Sequence, residues 1–332
     1  MVNLIGKRLL ILIPLLLVIS VVAFIIMQLP PGSFLDMYVQ QLTTQGTNVS
    51  QDQIAALTKQ YGLDKPMIVQ YWIWISNIVF HGNFGLSFQW NKPVSTLIGE
   101  RIILTMVISL LSTVFIWLVS VPIGIYSATH QYTAGDYAVT VLGFIGIATP
   151  GFVLALVFLW VAFKGFGVAV TGLFSAQYAD APWSLGKVLD MLKRIWVPVI
   201  LTGLSGTAYL IRVLRGTLLD ELKKQYVITA RAKGLSEVKL LFEYPVRVAI
   251  NPIISTIGWM LPGIISGELL VSIVLNLPTA GPLLWGALLS QDMFLAGSFL
   301  LILSALTVVG TLISDILLAA VDPRIRYKGA VK

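Results

Sequence analysis

The chain has 332 residues, of which 57% are hydrophobic and 11% are charged, and its formal net charge is +7. With a mean hydropathy of +0.88, this composition leaves more apolar surface than a soluble domain of this length can bury. The sequence therefore predicts an all-α polytopic membrane protein, with the lipid bilayer covering the rest of its surface.

The chain contains no cysteine, and its two histidines, His81 and His130, lie far apart in sequence. The composition excludes disulfides, thiolate metal sites and cysteine nucleophiles, and it argues against a histidine-based metal cluster. An excess of Lys and Arg could indicate nucleic acid binding in a soluble protein. Here the retention of positive residues on the cytoplasmic side of a membrane explains it better, so we expect no nucleic acid partner.

Six runs of about 20 or more apolar residues predict six transmembrane helices, each long enough to cross about 30 Å of hydrocarbon. The spans fall near residues 9–29, 102–128, 137–163, 195–215, 252–276 and 295–320. The first run is longer than the apolar part of a signal peptide and has no small-x-small cleavage site, so we expect a retained anchor.

Two regions follow from these spans. Residues 1–101 are expected to form an anchor helix with an extracytoplasmic segment. Residues 102–332 are expected to form a five-helix core that includes a cytoplasmic loop at 216–247.

The distribution of basic residues predicts that both termini lie in the cytoplasm. These residues concentrate at the amino end, in the loop between spans four and five with its borders, and in the tail: Lys7, Arg8, Arg212, Arg215, Lys223, Lys224, Arg231, Lys233, Lys239, Arg247, Arg324, Arg326, Lys328 and Lys332. All three segments lie on one side of a chain with six spans.

The outer segment 30–101 contains two predicted amphipathic helices. The first runs from Ser50, a candidate N-cap, to Gly62, and the second follows Pro66. Aromatic residues in the second helix favour an interfacial helix over a substrate cage.

The loop at 216–247 has the composition of two short helices joined by an elbow. The stretch DELKKQYVITARA at 220–232 contains good helix formers, with acidic residues in its first turn. Gly234 can take the left-handed conformation that ends a helix, and Leu235 can fold back on that helix. Ser236 can then cap the second helix, EVKLLFEY.

One face of the first helix is predicted to be an apolar knob. Tyr226, Val227 and Ala230 share this face at helical spacing, and a ring of basic residues that includes Arg231 surrounds it. Such a knob can fit a groove on a soluble partner, and the basic ring suits anionic lipid equally well. The residues leave both alternatives open.

The fifth span carries candidate residues for a translocation path. Ser255, Trp259, Pro262 and Ser266 fall on one helical face, although small residues on such a face more often pack helix against helix. Glu268 lies roughly 150° away around the helix. Because a carboxylate facing lipid is costly, we expect Glu268 to pair with a neighbouring helix, to be protonated or to line the pore.

Short motifs along nearly the whole chain resemble those of one known family. In order they are GKRLLILIP at the start, LPPGS at 29–33, YGLDKP at 61–66, HGNFGLS at 81–87, KPV at 92–94, ERIILT at 100–105, VPIG at 121–124, ATPGF at 148–152, YVITARAKGLS at 226–236, RVAINP at 247–252 and VDPRIR at 321–326. Together they resemble the permease subunits of ABC importers of the oligopeptide, dipeptide and nickel type. The loop is similar to their coupling segment, the EAA loop, although Thr229 and Ala230 stand where an acidic residue and alanine are often seen.

The resemblance implies the six-helix fold of a type I ABC importer and a role as the first of its two permeases. Its partners would be a second homologous permease, two ATPase subunits or domains, and an extracytoplasmic solute-binding protein, at a bacterial or archaeal cytoplasmic membrane. The ATPase-coupling loop would comprise Tyr226, Val227, Ala230, Arg231, Gly234, Leu235 and Ser236. The chain has no G-x-x-x-x-G-K-[ST] motif. We therefore expect no enzyme activity and no cofactor in this chain, with ATP and Mg bound by the ATPase partners.

The resemblance implies peptides as substrate, and oligosaccharides are an alternative because related systems carry them. A secondary transporter or channel is a distant alternative, since it would show paired broken helices, a proton relay or a charged filter. Only Glu268 and Asp315 are ionisable in mid-span. A membrane enzyme would need a nucleophile, a base and an acid at one depth, and these residues do not supply them.

Overall fold

A computed structural model describes residues 2–29, 55, 58–59, 64–87, 89–168, 170–251, 253–254 and 268–321, without the side chains of 2–5, 7–9, 314–315 and 317–321. Within these residues the chain is mostly helical. A short antiparallel pair of strands, β1 at Leu86–Ser87 and β2 at Lys92–Pro93, is joined in register Leu86 to Pro93. The predicted helical architecture is confirmed in this coarser form, as a mostly helical chain.

Helices make up most of the described residues. They are α1 Val2–Gln28, α2 Met67–His81, α3 Val94–Thr129, α4 Ala134–Ala148, α5 Gly151–Phe166, α6 Leu185–Arg194, α7 Trp196–Leu222, α8 Gln225–Ala232, α9 Glu237–Glu243, α10 Pro245–Ala249, α11 Ala280–Leu289 and α12 Met293–Val321. Residues 268–274 are also helical.

Four helices in the described part of the chain are long and apolar enough to cross a membrane. They are α3 and α7 with the segments Leu10–Gln28 of α1 and Met293–Ile313 of α12. These helices coincide with predicted spans one, two, four and six. Much of the fifth predicted span, and most of the predicted helix from Ser50 to Gly62, lie outside the described residues.

The third predicted span, 137–163, is not one straight helix. α4 and α5 are bent by 105° at the break between them, so they form either a broken span or a re-entrant loop. The cause is Pro150, because the residue before a proline avoids helical backbone. That residue, Thr149, is extended at φ −96° and ψ 120°. The third span stays a prediction, with a break in its helix that the apolar run did not indicate.

The chain divides into two compact units. The first comprises Met1–Ile5, Leu104–Pro282 and Val309–Lys332, and the second comprises Gly6–Ile103 and Leu283–Val308. The expected division into residues 1–101 and 102–332 stays a prediction.

In the second unit, α2 packs one face against α1. Phe24 of α1 lies 5.6 Å from the ring of Tyr71 and 5.7 Å from that of Trp74, measured between centroids. Ser20 and the Tyr71 hydroxyl are hydrogen-bonded at 2.8 Å. Trp74 is buried, whereas Trp72 is exposed. The helix is therefore amphipathic, but Tyr71 and Trp74 pack against α1 and only Trp72 of these three aromatic residues is exposed.

In the first unit, α3 and α7 approach closely at small residues. A Cβ on Gly206 would lie 2.7 Å from the Cδ1 atom of Ile116, and one on Gly203 would lie 2.8 Å from Cδ1 of Phe115. Close backbone approach through small residues is the usual way that helices associate in lipid. The buried core on either side includes Ile108, Ile116, Leu201, Leu210, Leu214 and Leu218.

Candidate functional site

The elbow, residues 225–243, consists of α8, a turn and α9. Gly234 takes the left-handed conformation at φ +81°, and its N–H donates to the carbonyl of Arg231 at 3.0 Å. Ser236 occupies the N-cap of α9, but its side chain makes no capping hydrogen bond. The predicted elbow is confirmed, with the correction that Ser236 begins the second helix through its backbone.

The interior of the elbow is a small apolar cluster. Val227 is 0% exposed and Ala230 is 5% exposed, and both pack with Leu240 of α9, flanked by Leu235 and Tyr244. The expectation that these two residues belong to an exposed knob is wrong. The turn at Gly234 folds α9 back onto α8, so the apolar face of α8 is covered within the chain itself.

A different set of apolar side chains is exposed on the elbow. Ile228 on α8 is exposed, as are Val238 and Phe242, which lie one turn apart on α9. Tyr226 is also partly exposed, at 38%. The sequence analysis missed Val238 and Phe242. Their helical spacing was visible, but which face of α9 would be buried was not.

The first helix of the elbow begins later than predicted. α7 continues to Leu222, so Asp220 and Glu221 lie in its last turn and not in the first turn of α8. The Tyr226 hydroxyl donates to the Glu221 carboxylate across this junction. Burial, together with that hydrogen bond, raises the pKa of Tyr226 to about 12. Tyr226 therefore stays protonated and links α8 to the end of α7.

Arg231 joins the two helices of the elbow. Its Nε and Nη2 atoms donate to the two carboxylate oxygens of Glu237 at 2.6 and 3.0 Å. The hydrogen bonds lower the pKa of Glu237 and raise the pKa of Arg231. Because both side chains are exposed, the pair orients the helices more than it stabilises them. Arg231 is therefore already neutralised within the chain.

A buried ion pair connects α7 to α4. Arg215 donates to the two oxygens of Asp136 at 2.7 and 2.8 Å, and Asp136 is 2% exposed. Asp136 also accepts hydrogen bonds from the Ser127 hydroxyl and from the backbone N–H of Tyr132. One carboxylate thus joins α3, the turn after it, α4 and α7.

The sequence analysis also missed this ion pair. The signal that could have found it is the placement of opposite charges at the ends of two predicted spans, Asp136 before 137–163 and Arg215 at the end of 195–215. Charged residues at the ends of membrane helices are often exposed to solvent without an ion-pair partner. The pattern alone therefore does not specify that Asp136 and Arg215 meet.

The far end of the loop returns to α7. The Thr217 hydroxyl donates to the carbonyl of Ala249 in α10 at 3.2 Å. Val246 and Ala249 are buried in one cluster with Leu214 and Leu218 of α7. The elbow therefore lies between two segments that contact α7: its own first residues, through Tyr226, and α10, which follows it.

Glu268 is the buried ionisable residue of the predicted fifth span. It is 1% exposed, with the side chains of Thr279 and Ser272 beside it. Within the described part of the chain, neither carboxylate oxygen makes a hydrogen bond of ordinary geometry. The carboxylate does not face lipid, as expected. Ser255, Trp259 and Ser266 lie outside the described residues.

Long apolar helices, with a helical elbow that follows one of them, define a membrane-embedded protein. Residues 120–327 match the family model described as binding-protein-dependent transport system inner membrane component, and residues 1–111 match the model for the N-terminal part of such components. The chain belongs to this family of inner-membrane permeases, as its motifs predicted. It is a non-catalytic subunit.

Two relatives are similar along almost their whole length. The oligopeptide transport system permease protein AppB of Bacillus subtilis (strain 168) is 34% identical, over 97% of this chain and 98% of the relative. The inner membrane ABC transporter permease protein YejB of Escherichia coli O157:H7 is 30% identical, over 97% of this chain and 98% of the relative.

Proposed function

We propose that this chain is the first of two permeases in an ATP-driven importer of oligopeptides or dipeptides. The observation that carries the proposal is the similarity to an oligopeptide permease over nearly the full length of both chains. We further propose six transmembrane helices with both termini in the cytoplasm, supported by the four long apolar helices, the bent pair α4–α5 and the distribution of basic residues.

The proposed partners are a second homologous permease, two ATPase subunits or domains, and an extracytoplasmic solute-binding protein. The elbow would dock into a groove on an ATPase. Its exposed residues Val238 and Phe242 are the proposed apolar anchors, with Tyr226 and Ile228 beside them on α8. Val227, Ala230, Gly234 and Leu235 would support this surface from within.

Force would pass from the elbow to α7 through contacts within the first unit. The Tyr226 to Glu221 and Thr217 to Ala249 hydrogen bonds attach the two ends of the loop to α7. The ion pair between Arg215 and Asp136 then attaches α7 to α4. Closure of the ATPases would move these helices together and open the path to one side at a time.

Ser255, Trp259, Ser266 and Glu268 are proposed to line the path. Support for Glu268 comes from the cost of keeping an unpaired carboxylate inside a membrane protein, which usually marks a functional position.

Reconstitution in proteoliposomes tests the proposal. The complex, purified through this chain and supplied with its solute-binding protein, should hydrolyse ATP faster when peptide is added and should accumulate labelled peptide only with ATP. Purification without a nucleotide-hydrolysing partner, or uptake driven by an ion gradient alone, would overturn it.

A further inference from the structure

Two arginines lie one turn apart on α7, and only one of them has an acidic partner among the described residues. Arg215 is neutralised by Asp136. Arg212 makes no hydrogen bond or ion pair within the described residues, and its guanidinium lies over the ring of Phe144, with Cζ 5.5 Å from the ring centroid. Because a charge beside hydrocarbon is costly without a counterion, Arg212 calls for an anion from outside the described residues.

Arg212 lies at the edge of a groove between α4 and α7. The groove has a volume of about 280 Å³, and Val139, Phe144 and Ile147 of α4 face Ile211 and Arg212 of α7 across it. The two helices touch at Gly146, where an added Cβ would lie 3.2 Å from that of Ala208. The groove thus combines apolar walls with one unneutralised guanidinium.

The position of Arg212 along α7 matches the phosphate layer of the inner leaflet, on the orientation proposed above. α7 begins at Trp196, an exposed aromatic residue of the type that marks a membrane interface. At 1.5 Å per residue, Arg212 lies about 24 Å further along, close to the inner edge of a hydrocarbon layer about 30 Å thick. An arginine at this depth reaches phosphates by extending its side chain.

The surface around the groove is mostly apolar, unlike the polar lining of a water-filled path. The large apolar side chains exposed on α4 are Tyr137, Val141, Leu142, Phe144, Ile145 and Ile147, and the polar residues that line the groove are Thr140, Arg212 and Arg215. A water-filled peptide path would be expected to offer hydrogen-bonding groups, and this surface offers few. An anion that carries its own hydrocarbon suits the groove best.

We propose that the groove between α4 and α7 binds an anionic phospholipid of the cytoplasmic leaflet. The phosphate pairs with Arg212, and an acyl chain lies along Phe144 and Ile147. The lipid would hold α4 and α7 together beside the ion pair of Asp136 and Arg215, so it would stabilise the same helix pair that carries force from the elbow.

Native mass spectrometry of the purified complex, titrated with phosphatidylglycerol or with phosphatidylcholine, tests this site without transport or ATP. We expect wild type to prefer phosphatidylglycerol, and Arg212→Gln to weaken that binding about tenfold, the loss of one charge-assisted contact. Arg212→Lys should keep most of it. Lys164→Gln, which removes an exposed cation at the end of α5, is the matched control and should bind as wild type does.

A second variant tests the groove while keeping the charge. Gly143 lines the groove, and nothing lies within 4 Å of a Cβ added there, so Gly143→Leu should place its side chain in the groove. It should lower phosphatidylglycerol binding although Arg212 is present. Because lipid binding is measured in the absence of substrate, its result is independent of whether peptides are transported.

Three results would overturn the proposal. The first is unchanged phosphatidylglycerol binding in both Arg212→Gln and Gly143→Leu. The second is weaker association of the two permeases in Arg212→Gln in either lipid, which would identify a carboxylate of the partner permease as the anion. The third is a higher KM for peptides with a free carboxyl terminus but not for amidated peptides, which would identify substrate as the anion.

Discussion

Arg215 donates to both oxygens of Asp136 with nearly equal bonds of 2.7 and 2.8 Å, so the two side chains form a planar, two-bond ion pair at the junction of α4 and α7. Asp136 is almost wholly buried, while Arg215 is about a quarter exposed, with 26% of its side chain accessible. The helix that carries the elbow is thereby attached to the first arm of the bent pair.

Breaking this ion pair should destabilise the protein strongly. Arg215→Gln leaves a buried, unpaired carboxylate, and we expect the free energy of unfolding to fall by about 3 kcal/mol. Arg215→Lys should lower the free energy of unfolding less, because the positive charge is retained and only the two-bond geometry is lost. Thermal unfolding in detergent measures both. Arg194→Gln is the control, since Arg194 approaches Asp190 at 3.9 Å on the surface and should matter little. Equal effects at the two arginines would contradict the prediction.

Charge on the outer face of the elbow should uncouple transport without unfolding the loop. Val238→Asp places a carboxylate where an exposed apolar side chain is proposed to enter the ATPase groove. We expect membrane insertion to be normal, with ATPase subunits lost from the purified complex. Glu243→Gln, an exposed change on the same helix, should leave the complex intact. If the ATPase subunits purify with Val238→Asp in the same amount as with wild type, the ATPase docks on another surface.

Charge inside the elbow should act differently. Ala230→Asp enters the buried cluster with Val227 and Leu240, so the loop itself should unfold locally. Hydrogen exchange at residues 225–243 should rise in this variant and not in Val238→Asp. Unchanged exchange in both variants would argue against the buried cluster.

The effect of a substitution at Gly234 should depend on how easily the new residue adopts a positive φ, because its side chain has open space. Nothing lies within 4 Å of an added Cβ, and φ is +81°. Asn should therefore be accepted, Ala should cost roughly 1–2 kcal/mol locally, and Pro should cost most, since it also removes the N–H bonded to Arg231. The ratio of peptide taken up to ATP hydrolysed should fall in the order Asn, Ala, Pro. Transport by Gly234→Pro equal to wild type would contradict a role of the elbow in coupling.

The contact between Tyr226 and Glu221 should be insensitive to pH in the physiological range. The pKa of Tyr226 is raised to about 12 in the folded chain, above its ordinary value of 10.0. Its contribution to stability is therefore complete below pH 10 and is lost as pH rises through the raised pKa. Tyr226→Phe should speed hydrogen exchange at residues 223–226 by the same factor at about pH 6 and about pH 9. A factor that shrinks between these values would mean the hydroxyl ionises earlier.

Replacing Glu268 with a neutral residue should decrease transport without lowering stability. Glu268→Gln keeps the side-chain volume and replaces a buried carboxyl group whose oxygens make no hydrogen bond of ordinary geometry among the described residues, so the unfolding midpoint should not fall. If Glu268 contacts the path as proposed, peptide uptake should decrease. Thr279→Val, beside it, is the matched control for packing. Normal uptake by Glu268→Gln would remove Glu268 from the path.

Several features of this protein follow from sequence alone because their causes are local. Long apolar runs predicted α1, α3, α7 and α12, since the length of hydrocarbon to be crossed sets the length of helix. The left-handed turn at Gly234 was predicted because glycine adopts that conformation without strain. The break at Pro150 has an equally local cause, although the sequence analysis did not predict it.

Other features depend on which surfaces meet in the folded chain. Helical periodicity placed Tyr226, Val227 and Ala230 on one face, but only the fold showed that α9 covers two of these residues and leaves Val238 and Phe242 exposed. Asp136 and Arg215 are 79 residues apart, and no spacing rule connects them. Sequence patterns specify the apolar face of a helix. What covers that face, and which charge meets which, is decided by packing between elements that are distant in the chain.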